Sequence, residues 1–266
     1  MRIGFLCGKT LDDFERIVVE HIYDSFGKMI VLSIIDNRHF SLINRVKKHL
    51  KRGRGGYIFV MAIKYLFQKR QARVSTNNWL CYRDIPVVMT KNVYSKNMLH
   101  LISENRIDVL CLIGGFGIIK RPLLEIANYG VLSYHHGDMR FYRGMPPAFW
   151  ELYNGEIRMG VTVQRLSAGL DKGMPIIEMS VPIRMDDTLR SLRNRMFSMS
   201  TGMMSKAIGL LKTGEFQYFK EYGPLYTLPS LRQWIVLNIK VFLRHIKFCL
   251  ARIAKSMVGP FRNFHG

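Results

Sequence analysis

Acidic side chains are scarce in this sequence. Its 266 residues contain 19 Asp and Glu against 40 Lys and Arg, which gives a formal net charge of +21 at pH 7. Residues 37–83 contain no acid, and neither does any position after Glu221. A surface of this sign attracts polyanions such as nucleic acid, anionic lipid or phosphorylated substrates, and the charge alone does not choose among them.

Cysteines and long apolar runs are also few. The four cysteines show no CxxC spacing and lie among apolar neighbours, so they favour free, buried thiols in a reducing cytosol over a disulfide framework. No run of about 18 uncharged apolar residues occurs, so no transmembrane span is predicted. The first residues turn acidic too early for a signal peptide, and we expect a cytoplasmic protein.

Apolar strands that alternate with helices predict the fold class. Strands are predicted at 3–7, 29–36, 85–89, 109–115 and 130–136, and helices at 11–26, 95–106 and 121–128. Continuous apolar strands separated by helices favour an α/β fold with a largely parallel sheet covered on both faces. A strand pair follows at 160–166 and 174–183, and then one long helix at 186–214, whose methionines, Met199 among them, are expected in the core.

The most reactive side chains fall at the carboxyl ends of the predicted strands, where sheets of this type bind ligands. His135 follows a buried strand, and an imidazole exchanges protons near neutral pH. Asp171 lies in a glycine-rich loop that could fold back over the strand end and orient this ring. A metal site of His135, His136 and Asp138 is disfavoured, because adjacent residues at a strand end point to opposite faces.

The order and spacing of several short motifs point to one family. They are His135, Arg143-Gly144, Asn154-Gly155, Gly160-Val161-Thr162 and Asp171-Lys172-Gly173. In this order the sequence resembles the formyltetrahydrofolate-dependent formyltransferases, over roughly residues 1–215. That family includes the methionyl-tRNA, glycinamide ribonucleotide and amino-sugar enzymes.

This resemblance implies a Rossmann-like formyltransferase domain that transfers a formyl group from N10-formyltetrahydrofolate, the formyl donor, to a primary amine. It implies that His135 is the general acid/base and that Asp171 is its partner. His136, Arg143 and Gly144 either contact substrate or shape the loop, and the loop role is favoured for Arg143. Two loops are implied to hold the folate through their backbone, and they comprise Phe116, Gly117, Ile118, Ile119, Leu166, Ser167, Ala168, Gly169 and Leu170.

Ser133 departs from the family pattern, which has asparagine at this position. In acyl transfer the attack of the amine places negative charge on an oxygen, and a donor aimed at that oxygen lowers the barrier. A serine hydroxyl donates one hydrogen and reaches less far than an asparagine amide. Ser133 therefore acts through a water, or another donor such as His136 replaces it, or catalysis is impaired.

The chain divides by composition into a catalytic domain at 1–215 and an extension at 216–266. The catalytic domain carries a basic helical insertion at about 37–76, and the extension is a basic amphipathic helical tail. The apolar and basic residues of 231–258 suit an anionic membrane interface, and packing on the core or on a second subunit in a homodimer suits them equally well. Nucleic acid is the least favoured partner.

The length and the charge of the chain narrow the choice of acceptor amine. A methionyl-tRNA enzyme has a separate C-terminal barrel, whereas about 50 residues with a helical pattern follow the core here. An amino sugar linked to a nucleotide is the favoured small-molecule acceptor, in surface polysaccharide synthesis at the inner face of the cytoplasmic membrane. Alternatives are a formyltetrahydrofolate hydrolase, a methionyl-tRNA formyltransferase-like enzyme, and a non-catalytic folate- or membrane-binding relative.

Overall fold

The computed structural model describes residues 1–38, 41–51, 55, 58 and 72–258. Numbered along the chain, its strands are β1 (Ile3–Cys7), β2 (Thr10–Leu11), β3 (Ile30–Asp36), β4 (Val74–Ser75), β5 (Val87–Thr90), β6 (Val109–Leu112), β7 (Val131–His135), β8 (Arg143–Gly144), β9 (Arg158–Arg165), β10 (Met174–Pro182) and β11 (Leu225–Tyr226). Seven of them form a sheet in the order β10-β9-β7-β6-β1-β3-β5. The adjacent strands β7, β6, β1, β3 and β5 run parallel, and β9 is antiparallel to both β7 and β10. The largely parallel α/β sheet predicted from the sequence is confirmed.

The described helices are α1 (Asp13–Phe26), α2 (Leu42–Lys51), α3 (Thr76–Cys81), α4 (Lys96–Glu104), α5 (Phe149–Asn154), α6 (Leu189–Ser200), α7 (Met203–Leu210) and α8 (Leu231–Val258). Local sequence sets several of their ends. Asp12 caps α1 by accepting from the backbone of Glu15, whose side chain accepts in turn from Asp12 N. Gly155 ends α5 in the left-handed conformation, where a glycine has no steric penalty.

Apolar side chains fill both faces of the sheet. Successive residues of β1 point to opposite sides, so that Phe5 belongs to one buried cluster and Leu6 to the other. The first cluster lies under α1, α5, α6 and α7 and includes Val163 of β9. The second lies under α4 and the turns that follow β6. Burial on both sides explains why the strands are continuous apolar runs and not alternating ones.

The long helix predicted at 186–214 is wrong as a single element. It is two helices, α6 and α7, with a break at Thr201–Gly202. The Tyr134 hydroxyl donates to Ser200 O at 2.7 Å and accepts from Met204 N at 3.0 Å. A side chain inserted between backbone groups in this way interrupts the helical ladder. Met199 is exposed and does not belong to the core.

The helix predicted at 121–128 is also wrong, because the segment forms turns. Its backbone hydrogen bonds, such as Leu124 N to Lys120 O, close single turns. Leu123, Leu124 and Ala127 are nevertheless buried, so packing on the sheet and not helix propensity sets the conformation of this segment. The buried-thiol prediction holds for Cys7 and Cys111, whereas Cys81 and Cys249 are exposed.

The basic helical insertion predicted at 37–76 is helical over Leu42–Lys51. Its end differs from the prediction, because Val74–Ser75 pairs as a strand with Thr10–Leu11. The remainder of this prediction, at 39–40, 52–54, 56–57 and 59–71, lies outside the described residues. The division into 1–215 and 216–266 stays a prediction.

The C-terminal helix α8 packs on the body through one side only. Trp234 and Leu237 are buried, and the Trp234 ring lies 4.6 Å from that of Phe149. Lys240 Nζ donates to Tyr153 O at 2.6 Å, and Arg244 donates to the carbonyl oxygens of Met185 and Asp187. In the described ranges of the chain, α8 included, no helix is apolar over enough of its length to cross a bilayer.

Candidate active site

Two neighbouring strands place four polar side chains on one face of the sheet. The register of β7 with β9 puts Ser133 opposite Gln164, and His135 opposite Thr162. Residues directly opposite each other in an antiparallel pair share a face, and so do residues two apart on one strand. All four side chains therefore lie together at the carboxyl end of β7.

His135 is held between two oxygen atoms. Its Nδ1 lies 3.4 Å from Asp171 Oδ1, and its Nε2 lies 2.8 Å from the carbonyl oxygen of Tyr142. A carbonyl oxygen only accepts hydrogen bonds, so Nε2 carries a hydrogen. The ring is 5% exposed. The structure thus brings together the His and Asp that are 36 positions apart in sequence.

Burial and charge act against each other on this pair. Burial disfavours the charged ring of His135, but the Asp171 carboxylate, with the Tyr142 carbonyl and Glu151, raises the pKa of His135 above its ordinary value. Burial likewise opposes the charge of Asp171, and His135 together with Gly144 N lowers the pKa of that carboxyl. Both shifts favour an imidazolium beside a carboxylate.

Asp171 is positioned by its own backbone and by Gly144. Its φ of 47° lies in the left-handed region, which aspartate tolerates better than most residues. Gly144 N donates to Asp171 Oδ2 at 2.9 Å. Gly144 itself has φ 94°, and a Cβ there would overlap the carbonyl oxygen of Tyr226. Only glycine therefore fits this position.

Arg143 joins three loops. Its Nε donates to Gly223 O at 2.6 Å, and its Nη1 donates to Leu170 O at 3.2 Å. Both contacts are with backbone, as the loop-shaping interpretation requires. The strands β8 and β11 pair beside it, so residues of the predicted extension directly support the site. Sequence reasoning missed Gly223 and Tyr226, because no local motif marks a contact across about 80 residues.

His136 lies on the opposite face from His135. Its ring stacks on Tyr134 at 5.5 Å and contacts Phe14 and Phe197 edge to face. Burial lowers the pKa of His136 to about 3, so the ring is neutral. Of the three alternatives for the missing donor, the one in which His136 replaces it is wrong, because the His136 ring lies on the opposite face from His135. Among the described residues, no three His, Cys, Asp or Glu side chains form a group that could hold a metal ion.

Asp138, the carboxylate nearest to the histidines in sequence, takes part in a surface network. Arg140 donates to it at 2.8 Å and also to Glu178 at 2.8 Å. These side chains line an open cavity of about 540 Å³ between the 138–142 loop and the strands β9 and β10. The cavity reaches Tyr142, whose carbonyl oxygen contacts His135.

The two predicted folate loops follow β6 and β9. Phe116 and Ile119 are buried in one apolar cluster, and Leu166 packs against the same cluster. Arg38 Nη2 donates to Phe116 O at 3.0 Å. Ile118 is 67% exposed. Ala168 and Gly169 are exposed, while Ser167 donates to Lys172 O within its own loop. Both loops thus pack on the same apolar cluster and leave other residues, Gly117 and Leu170 among them, exposed.

Glu151 is a further titratable group that sequence reasoning missed. It lies on α5, is 2% exposed, and its pKa is raised by burial to about 7. His135 is close enough to act on its charge. The only signal in the sequence is a single acid in the otherwise apolar stretch FWELY. The site therefore contains, beside His135, a buried carboxyl group whose pKa is raised.

Comparison with known proteins gives a consistent result. The family model described as "Formyl transferase" matches residues 10–208. Methionyl-tRNA formyltransferase of Alkaliphilus oremlandii is 27% identical over 150 residues, which cover 54% of this chain and 48% of the relative. That of Trichlorobacter lovleyi is 31% identical over 130 residues, covering 49% and 41%. This chain spans about half the length of the curated relatives that it matches.

Solved structures share the fold at low identity. Glycinamide ribonucleotide transformylase 1 from Symbiobacterium toebii is 18% identical with a TM-score of 0.57, covering 85% of this chain and 94% of the other. The N-formyltransferase of Helicobacter canadensis, solved with folinic acid and dTDP-3-aminofucose, is 16% identical with a TM-score of 0.55, covering 85% and 71%. A sugar N-formyltransferase from a Shewanella species is 14% identical with a TM-score of 0.56, covering 89% and 87%.

Proposed function

Because the chain belongs to the formyl transferase family, we propose that it transfers a formyl group from N10-formyltetrahydrofolate to the primary amine of a nucleotide-linked amino sugar. The match to the family model confirms the resemblance read from the motifs. The observation that carries the proposed activity is the contact between His135 and Asp171 at the carboxyl end of β7. A His–Asp pair with a buried imidazole at this place in an α/β sheet suits proton transfer.

Formyl transfer requires two proton movements. A bond forms between the amine nitrogen and the formyl carbon, and the bond from that carbon to N10 breaks. One proton leaves the amine, and one reaches N10. His135 can provide both through Nε2 once this nitrogen leaves the carbonyl oxygen of Tyr142, because the charged ring gives a proton and the neutral ring then accepts one. Asp171 favours the charged ring and fixes its orientation, as a carboxylate does in other His–Asp pairs.

The residues present fit a folate donor, which would supply the formyl group. Loops 116–119 and 166–170 pack on one apolar cluster, and residues 117, 118 and 168–170 are exposed. Gly117 has φ 71°, and no atom lies within 4 Å of the position of a Cβ there. A flat heterocycle can therefore approach the main chain of this loop closely. These residues would hold the donor by their N–H and C=O groups.

An amino sugar linked to a nucleotide suits the charge and the neighbours. The net charge of +21 favours an acceptor with phosphate groups. A structural neighbour was solved with a nucleotide sugar, and another is described as a sugar N-formyltransferase.

Incubation of the protein with the formyl donor and a panel of amines tests the acceptor. The panel contains nucleotide-linked amino sugars, glycinamide ribonucleotide and methionyl-tRNA, and mass spectrometry detects the gain of one formyl group. We expect the gain on an amino sugar. A gain on methionyl-tRNA alone would replace this acceptor, and consumption of donor without any amine would identify a hydrolase.

We further propose that α8 attaches the protein to an anionic membrane surface on the cytoplasmic side. One side of α8 packs on the body of the protein, and the other side is exposed. Eight exposed apolar residues recur along α8 at spacings of one, three or four positions. This apolar stripe consists of Leu231, Ile235, Ile239, Phe242, Leu243, Ile246, Leu250 and Ile253. At 1.5 Å per residue the stripe is about 33 Å long.

Charge favours lipid over a second copy of the chain as the partner of this stripe. The helix has six Lys and Arg and no acid, and Arg232, Lys247, Arg252 and Lys255 are exposed. Two surfaces of this sign repel each other, whereas anionic headgroups attract them. A helix with an apolar stripe and flanking bases lies in the plane of the interface.

Flotation with lipid vesicles tests the membrane proposal. The protein is expected to float with vesicles of phosphatidylglycerol and much less with phosphatidylcholine. Ile239→Glu combined with Ile246→Glu should weaken binding about 100-fold or more, because each change loses the burial of one apolar side chain.

Tyr82→Glu is the matched control, since Tyr82 is 87% exposed and lies far from α8 in sequence. This control should float as the wild type does. Equal flotation of the double variant would refute the proposal, and a vesicle-independent dimer that the double variant abolishes would assign the stripe to a homodimer.

A further inference from the structure

Formyl transfer places negative charge on the formyl oxygen, which needs a hydrogen-bond donor. Neither candidate from the sequence, Ser133 or His136, supplies it. Ser133 Oγ donates to the neighbouring Tyr134 O at 3.3 Å, so its hydroxyl is used within its own strand. His136 lies on the other face. The family's asparagine therefore has no replacement on β7.

Gln164 lies directly across from Ser133 on β9. Opposite residues of an antiparallel pair have Cβ atoms about 4.5–5.5 Å apart and share a face. Gln164 is 1% exposed, and buried amides are kept only where they find partners or serve a function. Its side chain has the same terminal group as asparagine and one more methylene.

A backbone contact sets the orientation of this amide. Gly173 N donates to Gln164 Oε1 at 2.9 Å. An N–H group needs an acceptor, so this contact assigns the oxygen to the Gly173 side and turns Nε2 away from it. Gly173 follows Asp171 by two residues, and Asp171 contacts His135. The pairing of β7 with β9 places Gln164 on the same face as His135, so we assign its Nε2 donor to the face that carries the His–Asp pair.

We propose that Gln164 Nε2 donates the hydrogen bond to the formyl oxygen that the family's asparagine provides from position 133. The inference rests on the proposed formyl transfer. Moving the amide from β7 to the adjacent position on β9 keeps the donor on the same face of the sheet. The longer side chain of glutamine covers the added distance between the strands. Ser133 then has no part in stabilising the charge.

Three variants separate the two residues. Gln164→Glu keeps an oxygen for Gly173 N but loses the amide donor, and kcat should fall about 10²- to 10³-fold. Ser133→Ala should stay within about threefold of the wild type. The double variant Ser133→Asn with Gln164→Glu returns an amide to the site and should recover at least about tenfold of the lost kcat. A purely structural role for Gln164 would not produce this recovery.

Binding of an unreactive donor analogue tests the contact of Gln164 independently of the reaction rate. The side-chain amide of Gln164, observed by NMR, should shift when an unreactive formyl-folate analogue binds, and the dissociation constant of that analogue should change less than about threefold in Gln164→Glu. If the wild type transfers formyl and the kcat of Gln164→Glu is unchanged, the role of Gln164 is overturned while the proposed function stands. The same holds if Ser133→Ala loses as much kcat as Gln164→Glu. Failure of the wild type to transfer formyl counts against the proposed function, and the amide shift then still decides whether Gln164 contacts the donor.

Discussion

Replacement of His135 by alanine is expected to lower kcat/KM for formyl transfer about 10³- to 10⁴-fold. The variant loses the only imidazole on the reacting face of β7 and β9, and with it the group that exchanges protons with the amine and N10. Steady-state rates with saturating donor measure the loss. Circular dichroism shows whether the sheet is intact.

His136→Phe is the matched control for this variant. His136 is neutral and packs between Tyr134, Phe14 and Phe197, so a phenyl ring preserves its contacts. Its kcat/KM should remain within about threefold of the wild type. If the two variants lose activity equally, or if His135→Ala keeps normal turnover, the assignment of His135 is wrong.

Asp171→Asn is expected to lower kcat about 10²- to 10³-fold. The amide has nearly the shape of the carboxylate and can accept from Gly144 N, but it has no charge to stabilise the imidazolium. The pKa of His135 should fall in this variant. Burial, the largest influence on that ring, lowers the pKa and is then opposed only by the Tyr142 carbonyl and Glu151.

NMR titration of the His135 ring measures this change directly. The wild-type pKa should lie above the ordinary histidine value, and the Asp171→Asn value should lie below that of the wild type. Asp138→Asn serves as the control, because Asp138 pairs with Arg140 and not with His135. An unchanged His135 pKa in Asp171→Asn would contradict the proposed ion pair even if activity fell.

Much of the site could be predicted because its signals are local. His135 ends an apolar strand, and Asp171 lies in a loop between two strands, so both are expected at the same edge of the sheet. The opposite orientation of His135 and His136 follows from strand geometry alone. The motif order from His135 to Gly173 added the family, which the model match at 10–208 confirms.

Other features depend on pairings that no stretch of sequence records. The register that places Gln164 opposite Ser133 exists only once β7 and β9 align. The break between α6 and α7 follows the insertion of the Tyr134 hydroxyl, which comes from a distant strand. The contact of Arg143 with Gly223 O likewise joins the site to the predicted extension.

The most direct test of formyl transfer follows the carbon itself. The donor is labelled with ¹³C in the formyl group, and the label is traced after incubation with an amino-sugar nucleotide and either wild-type protein or His135→Ala. The account predicts labelled formamide on the sugar with wild type and almost none with His135→Ala. The account would be contradicted if the label appeared as free formate whether or not the amine is present. It would also be contradicted if both proteins formed equal amounts of labelled formamide.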